Sequence, residues 1–265
     1  MKTKIEGILL SKVPYGDRHI IGKLLLRSGK KISVLFYGGQ GGGSKKKSSI
    51  LELGYMLQIE LGHSRSTEHM YRAKETILLW AHEKIRLNHK AFYLTCFYLE
   101  MLSKLALEDD LHDEHGEFDQ SSAGHFRVLS NALFYLDQQL KKSSFSELDQ
   151  VFIFLTKLSI ETGVFPDVKH CALSGEELSK IEDVILLSEQ GGFADLTCIN
   201  LEDQQHYFLQ GKDLSKWMRY ISTTKYGEIE ELGIPSTSHV RALLSFLCFQ
   251  YQFQESDFKS LTLFL

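Results

Sequence analysis

Through the first 75 residues, apolar and polar positions follow one another with the short period of strands. Lys4 to Ser11 is apolar at Ile5, Ile8, Leu9 and Leu10, and the turn-like Pro14-Tyr15-Gly16-Asp17 separates it from an apolar run over Ile20 to Leu26. Ser28-Gly29-Lys30 signals a tight turn. After it, Ile32, Val34 and Phe36 alternate with Ser33, Leu35 and Tyr37, so one face of a strand turns to a core and the other away. A long loop of Gly, Ser and Lys follows. From Tyr55 to Leu61 the residues Leu57, Ile59 and Leu61 then share a face opposite Gln58 and Glu60. Four or five short strands in so little chain predict a small barrel of the OB type.

From about Tyr71 the apolar spacing changes to threes and fours. Ala73 to Leu87, Ala91 to Leu107, Phe126 to Leu140, Leu148 to Thr162 and His239 to Phe253 are read as helices. Glu108 to Gln120 is acidic and interrupts the pattern, as a solvated loop between two helices does. A second irregular stretch, from about Val164 to Gln210 with Gly191-Gly192 as a turn, predicts a small subdomain. The expected class is therefore α+β: an OB-fold barrel over residues 1–75, then a helical domain over residues 76–265.

A length of 265 residues suits two domains, and 43% hydrophobic with 24% charged residues is the balance of a folded globular chain. No apolar run reaches the length needed to span a bilayer, and the charged start Met1-Lys2-Thr3-Lys4 lacks the apolar stretch of a signal peptide, so a cytoplasmic protein is expected. Cys96, Cys171, Cys198 and Cys248 have no close pair, which fits reduced thiols.

Charge changes the picture more than composition does. Residues 1–75 carry 14 Lys and Arg against 6 Asp and Glu, a net +8, whereas the remainder carries 16 against 28, a net −12. Such asymmetry suggests that the barrel meets a polyanion and the helices do not. OB barrels hold single strands by combining a cationic groove for phosphates with aromatic rings for bases. Lys12, Arg18, Lys23, Arg27, Lys30, Lys31, Lys45, Lys46 and Lys47 supply the charge, and Tyr15, Phe36, Tyr37 and Tyr55 are candidate rings. A lysine loop by itself is more often plain solvated surface, and a single ring more often core. The charge split argues for contact with DNA.

Other chemistries fail on their spacing. Gly38-Gly39-Gln40-Gly41-Gly42-Gly43-Ser44-Lys45 has Ser44 where a P-loop needs lysine, and no window has the glycine pattern of a dinucleotide site. His112-Asp113-Glu114-His115 reads as part of the acidic loop rather than as a metal site. No nucleophile elbow and no activated cysteine is found, so no enzyme is predicted.

Lys4-Ile5-Glu6-Gly7-Ile8-Leu9-Leu10, Tyr15-Gly16-Asp17-Arg18 and Gly29-Lys30-Lys31-Ile32-Ser33-Val34 resemble the opening of the RecO family of DNA repair proteins. Tyr37-Gly38-Gly39-Gln40 with the lysine loop and Leu51, Tyr98-Leu99-Glu100-Met101-Leu102, and Thr162-Gly163-Val164-Phe165-Pro166 before His170-Cys171 resemble later marks of that family. The resemblance implies a non-enzymatic mediator of DNA repair and recombination. Its implied activities are binding single- and double-stranded DNA, annealing strands, associating with RecR and helping to load RecA in gap repair, at the nucleoid. It further implies docking of the C-terminal tail of single-stranded DNA-binding protein on the helix from Val151 to Thr162, through Phe154, Lys157 and Leu158.

The chain also departs from the family. Gln40 stands where a basic residue is common, and Phe152-Ile153-Phe154 where arginines are often found. Many members carry a four-cysteine zinc knuckle, but here Ser174 follows Cys171-Ala172-Leu173, Gly191 to Leu196 has no cysteine, and Cys198 is displaced. The expectation is a degenerate, metal-free knuckle over about 164–210 and no cofactor. A protein-interaction adaptor that keeps the architecture with weak or lost DNA binding is the alternative, and convergence or dispersal of the basic residues discriminates the two.

Overall fold

A computed structural model describes residues 4–38, 50–62, 70–109, 124–200 and 211–265. The chain divides into two compact units, 1–143 and 144–265, a division further along than the change of periodicity near residue 75.

In the first unit five strands close a barrel: β1 (Lys4–Tyr15), β2 (His19–Leu26), β3 (Lys31–Phe36), β4 (Met56–Gly62) and β5 (Met70–Trp80). The order around the barrel is β1-β2-β3-β5-β4, with β3 and β5 parallel and the other neighbouring pairs antiparallel. Alternation decides what enters: Ile32, Val34 and Phe36 of β3 and Leu57, Ile59 and Leu61 of β4 fill the interior with Leu9, Leu24 and Tyr71. Gly22 faces this interior where space has run out, because a Cβ there would lie 2.9 Å from both the Leu9 and Phe36 side chains.

Residues 73–87, expected to be helical, instead form the end of β5 and the four-residue turn of helix α1 (Glu83–Arg86). A register shift interrupts the alternation of β5 at Lys74-Glu75, and beyond it the outward positions are the exposed Ile77 and Leu79, so an apolar run over 77–80 hides the strand period.

Helices α2 (His89–Leu105) and α3 (Gly124–Lys142) complete the first unit, and α2 packs on β1. Asn88 starts α2 by accepting the Ala91 N–H at 3.1 Å, and the buried apolar stripe includes Leu94, Phe97, Tyr98, Met101 and Leu102. His82 is held between Trp80, 4.4 Å away ring to ring, and the α3 carboxylate Asp137. Burial pushes its pKa down to about 4 although Asp137 pulls the other way, so the ring is neutral at pH 7.

The second unit contains α4 (Glu147–Glu161), the hairpin β6 (Val184–Leu187) and β7 (Gly192–Asp195), α5 (Gly211–Thr223) and α6 (Thr237–Gln250). Helix α4 packs against both α5 and α6. Ser146 caps α4 through Asp149 N–H, and the buried Asp149 carboxylate accepts the N–H groups of Leu232, Gly233 and Ile234 at 2.7, 3.1 and 3.0 Å. One side chain thereby fixes the approach to α6.

Candidate nucleic-acid interface

In barrels of this topology the outer face of β2 and β3, with the β1–β2 loop, is where oligonucleotides bind. The pleat that sends Leu24 and Ile32 inward sends Lys23 and Lys31 outward, and the register pairs Lys23 with Ser33 and Leu25 with Lys31. The two lysines are therefore diagonal neighbours on that face, with Lys30 in the turn before β3. This part of the predicted basic set converges.

It does not stand open. After α2 the chain runs beside the start of β3: Lys31 N–H donates to Leu107 O and Asp109 N–H donates to Lys31 O, both at 2.8 Å. That pairing sets the Glu108 carboxylate 3.9 Å from Lys23 Nζ and 3.7 Å from Lys31 Nζ, and Asp109 3.2 Å from Lys30 Nζ. Lys31 also donates to Ser103 O at 2.6 Å, near the C-terminal end of α2. Its side chain is only 12% exposed, so it closes the helix rather than facing solvent.

Lys12 and Arg27 lie elsewhere and have other duties. Lys12 donates to Leu51 O at 2.7 Å and pairs with Glu52 at 2.9 Å, a carboxylate it shares with Arg86. Arg27 bonds Glu6 at 2.6 Å and lies over the Phe126 ring. Of the candidate rings, Phe36 is barrel core, and Tyr55 is half-buried beneath Arg86.

One end of the barrel keeps its chemistry at the surface. Where β1 turns into β2, Tyr15 is paired with His19 in register, and Tyr15 and Tyr37 are 49% and 42% exposed. His19 meets Tyr37 edge-on at 4.8 Å and its Nδ1 accepts Gly38 N–H at 3.3 Å, which braces the ring where β3 ends. Arg18 sits in the turn, exposed and with no ion pair among the described residues. His19 is not among the residues that composition and charge nominate; its pairing opposite Tyr15 across a three-residue turn is the signal that points to it. Lys45, Lys46 and Lys47 lie outside the described residues, as do Gln40 and the His112-Asp113-Glu114-His115 run.

In the second unit, Phe154 and Leu158 are fully buried in the core. Lys157 donates to Ile221 O and Thr224 O, both at 2.7 Å, satisfying carbonyls at the end of α5, and burial lowers its pKa. Of the three residues named for docking on this helix, two are therefore core and the third is engaged by backbone carbonyls.

The knuckle-like segment is built around one sulfur. Cys171 Sγ accepts the N–H groups of Ser174 and Asp195, each at 3.3 Å. Burial works to raise its pKa, but hydrogen bonds from Ser174, Asp195 and Leu173 outweigh it and hold the thiol at about 7. Cys198 returns to its side, its own pKa raised by the little burial it has and then by Cys171 and Asp195. Ser174 Oγ accepts Glu176 N–H at 3.3 Å, and Asp195 Oδ1 accepts Thr197 N–H at 2.8 Å. A neutral hydroxyl and a carboxylate committed to an amide leave two thiols, which do not make the four-ligand set of a structural zinc site. Among the described residues no group of three or more His, Cys, Asp or Glu is placed to hold a metal ion, and no helix is long and apolar enough to cross a membrane.

No family model matches the chain. Over 199 residues it is 28% identical to the DNA repair protein RecO of Chloroherpeton thalassium, a likeness covering 73% of this chain and 71% of that protein.

Proposed function

We propose that this chain is a DNA repair and recombination mediator, on the premise that it belongs to the RecO family, which the likeness over most of its length supports together with a closed barrel followed by helices. It binds single- and double-stranded DNA, anneals strands and, with RecR, helps to load RecA onto gaps coated by single-stranded DNA-binding protein, in the cytoplasm at the nucleoid. It does so by capture and docking, without catalytic residues. The segment around Cys171 serves as a metal-free knuckle.

The observation that carries this reading is the end of the barrel where Tyr15, Arg18 and Tyr37 stand exposed. Two exposed rings and a cation are what sequence-independent capture of an unpaired strand needs, because every base has a face to stack and every phosphate a charge to neutralise. Binding is therefore steeply salt-dependent and indifferent to sequence.

An interaction adaptor with weak DNA binding is the second reading. What favours it is the pairing of Lys23, Lys30 and Lys31 with Glu108 and Asp109. Fluorescence anisotropy of a labelled single strand at several salt concentrations separates the two, with a variant carrying Lys45→Glu, Lys46→Glu and Lys47→Glu alongside. The mediator reading expects binding with a steep salt slope that the variant largely loses. Absence of binding by the wild type at low salt would give the lead to the adaptor.

A further inference from the structure

The acidic contact on the β2–β3 face is an unusual use of charge for a surface that is to meet a polyanion. Exposed ion pairs add little to stability, of the order of 0–1 kcal/mol each, so Glu108, whose side chain is 59% exposed, is not needed at its position to hold the barrel, while Asp109, 14% exposed, presents its carboxylate to the more open Lys30. The backbone already fixes their segment through the two hydrogen bonds to Lys31. Nor do the three lysines take part equally. Lys31 is tied to Ser103 O and nearly covered, whereas Lys23 and Lys30 are 44% and 54% exposed and each pairs with a carboxylate. A phosphate arriving at this face would meet two reachable ammonium groups, each already facing a carboxylate oxygen at 3.9 or 3.2 Å.

We infer that Glu108 and Asp109 set the DNA affinity of the barrel by competing with phosphate for Lys23 and Lys30. The carboxylates act as an internal stand-in for the backbone of a strand, and a bound strand displaces them. The inference rests on the reading that the barrel binds DNA and adds the residues that limit that binding. It also explains how one face can carry converging lysines and still hold DNA loosely enough to release it, as a protein that passes strands between partners must. Because competition costs a strand two phosphate contacts, the effect shows in the salt slope as well as in affinity.

The test uses the full chain and a fluorescein-labelled oligothymidylate, with anisotropy read from low to moderate salt. The variant Glu108→Gln with Asp109→Asn keeps shape and hydrogen-bonding capacity while removing both charges. It is expected to bind about three- to tenfold more tightly at low salt, with a salt slope steeper by about 0.7 for each lysine released. Adding Lys23→Ala and Lys30→Ala to that variant is expected to abolish the gain. A control, Glu230→Gln with Glu231→Gln, makes the same change of net charge at exposed positions of the other unit and is expected to leave affinity unchanged.

Equal or weaker binding by Glu108→Gln with Asp109→Asn overturns the inference. So does a gain that survives loss of the two lysines, or one that the control reproduces. A wild type that binds no DNA while the variant binds supports it in its strongest form. If neither binds, although both melt as folded proteins, the DNA reading itself falls, an outcome distinct from wild type and variant binding alike.

Discussion

The end of the barrel and helix α4 are made of the same kinds of side chain and do opposite things with them. At the barrel end Tyr15, Arg18 and Tyr37 remain at the surface, braced by His19. On α4 an aromatic ring, a cation and a leucine stand within five residues, yet Phe154 and Leu158 are fully buried and the Lys157 ammonium is used by two carbonyls. The difference lies in location. Among the described residues nothing covers the strand end beside the turn, whereas a helix with partners on two sides turns nearly every apolar residue inward. Residue type therefore names candidates for binding, and burial decides among them.

The contrast can be broken most forcefully at Phe154. Phe154→Ala is expected to cost about 3–5 kcal/mol of stability through lost burial and the cavity left behind, measured by denaturant unfolding, with little change in DNA affinity per folded molecule. Weakened partner or DNA binding with stability intact would mean that the ring is reachable after all. Lys157→Met keeps the aliphatic stem and removes the donor; a loss of about 1.5–3 kcal/mol is expected, since two carbonyls lose a charged partner. A variant as stable as the wild type would show that water serves those carbonyls equally well.

The smallest effect concerns Cys171 and its dependence on pH. Its folded pKa of about 7 lies below the ordinary 9.0, so the fold favours the thiolate. The stabilisation is complete above pH 9 and is lost as the pH falls through 7. The gap in melting temperature between the wild type and Cys171→Ser is expected to be wider at pH 9 than at pH 6.5. Equal differences at both would show that the sulfur acts as a neutral acceptor.

Much of this fold was legible in the sequence because alternation and burial coincide. Ile32, Val34 and Phe36 and Leu57, Ile59 and Leu61 take the places their spacing predicts. The helices of 89–105, 124–142, 147–161 and 237–250 fall within a few residues of expectation. Strand β5 resembles a helix in sequence because the exposed Ile77 and Leu79 put apolar residues on both of its faces, and the spacing of Leu214, Met218 and Ile221, which share the buried side of α5, is the signal for that helix.

The candidate interface was legible only as an inventory. Nothing in the local sequence says that Lys31 closes a helix, or that Glu108, 77 positions along, sits against it, because both depend on where α2 ends in space. Charge counted along a chain overstates charge available at a surface. By that measure Arg18, with no ion pair among the described residues, carries more weight than its single place in the list of cations suggested.

The most direct measurement is the affinity of a labelled single strand for the wild type and for a variant with Tyr15→Ala, Arg18→Ala and Tyr37→Ala, each checked by thermal melting. The account predicts a variant that melts within a few degrees of the wild type and binds more weakly by about 1–3 kcal/mol for each stacked base it loses. Unchanged affinity in a folded variant would contradict it and move the DNA contact away from this end of the barrel.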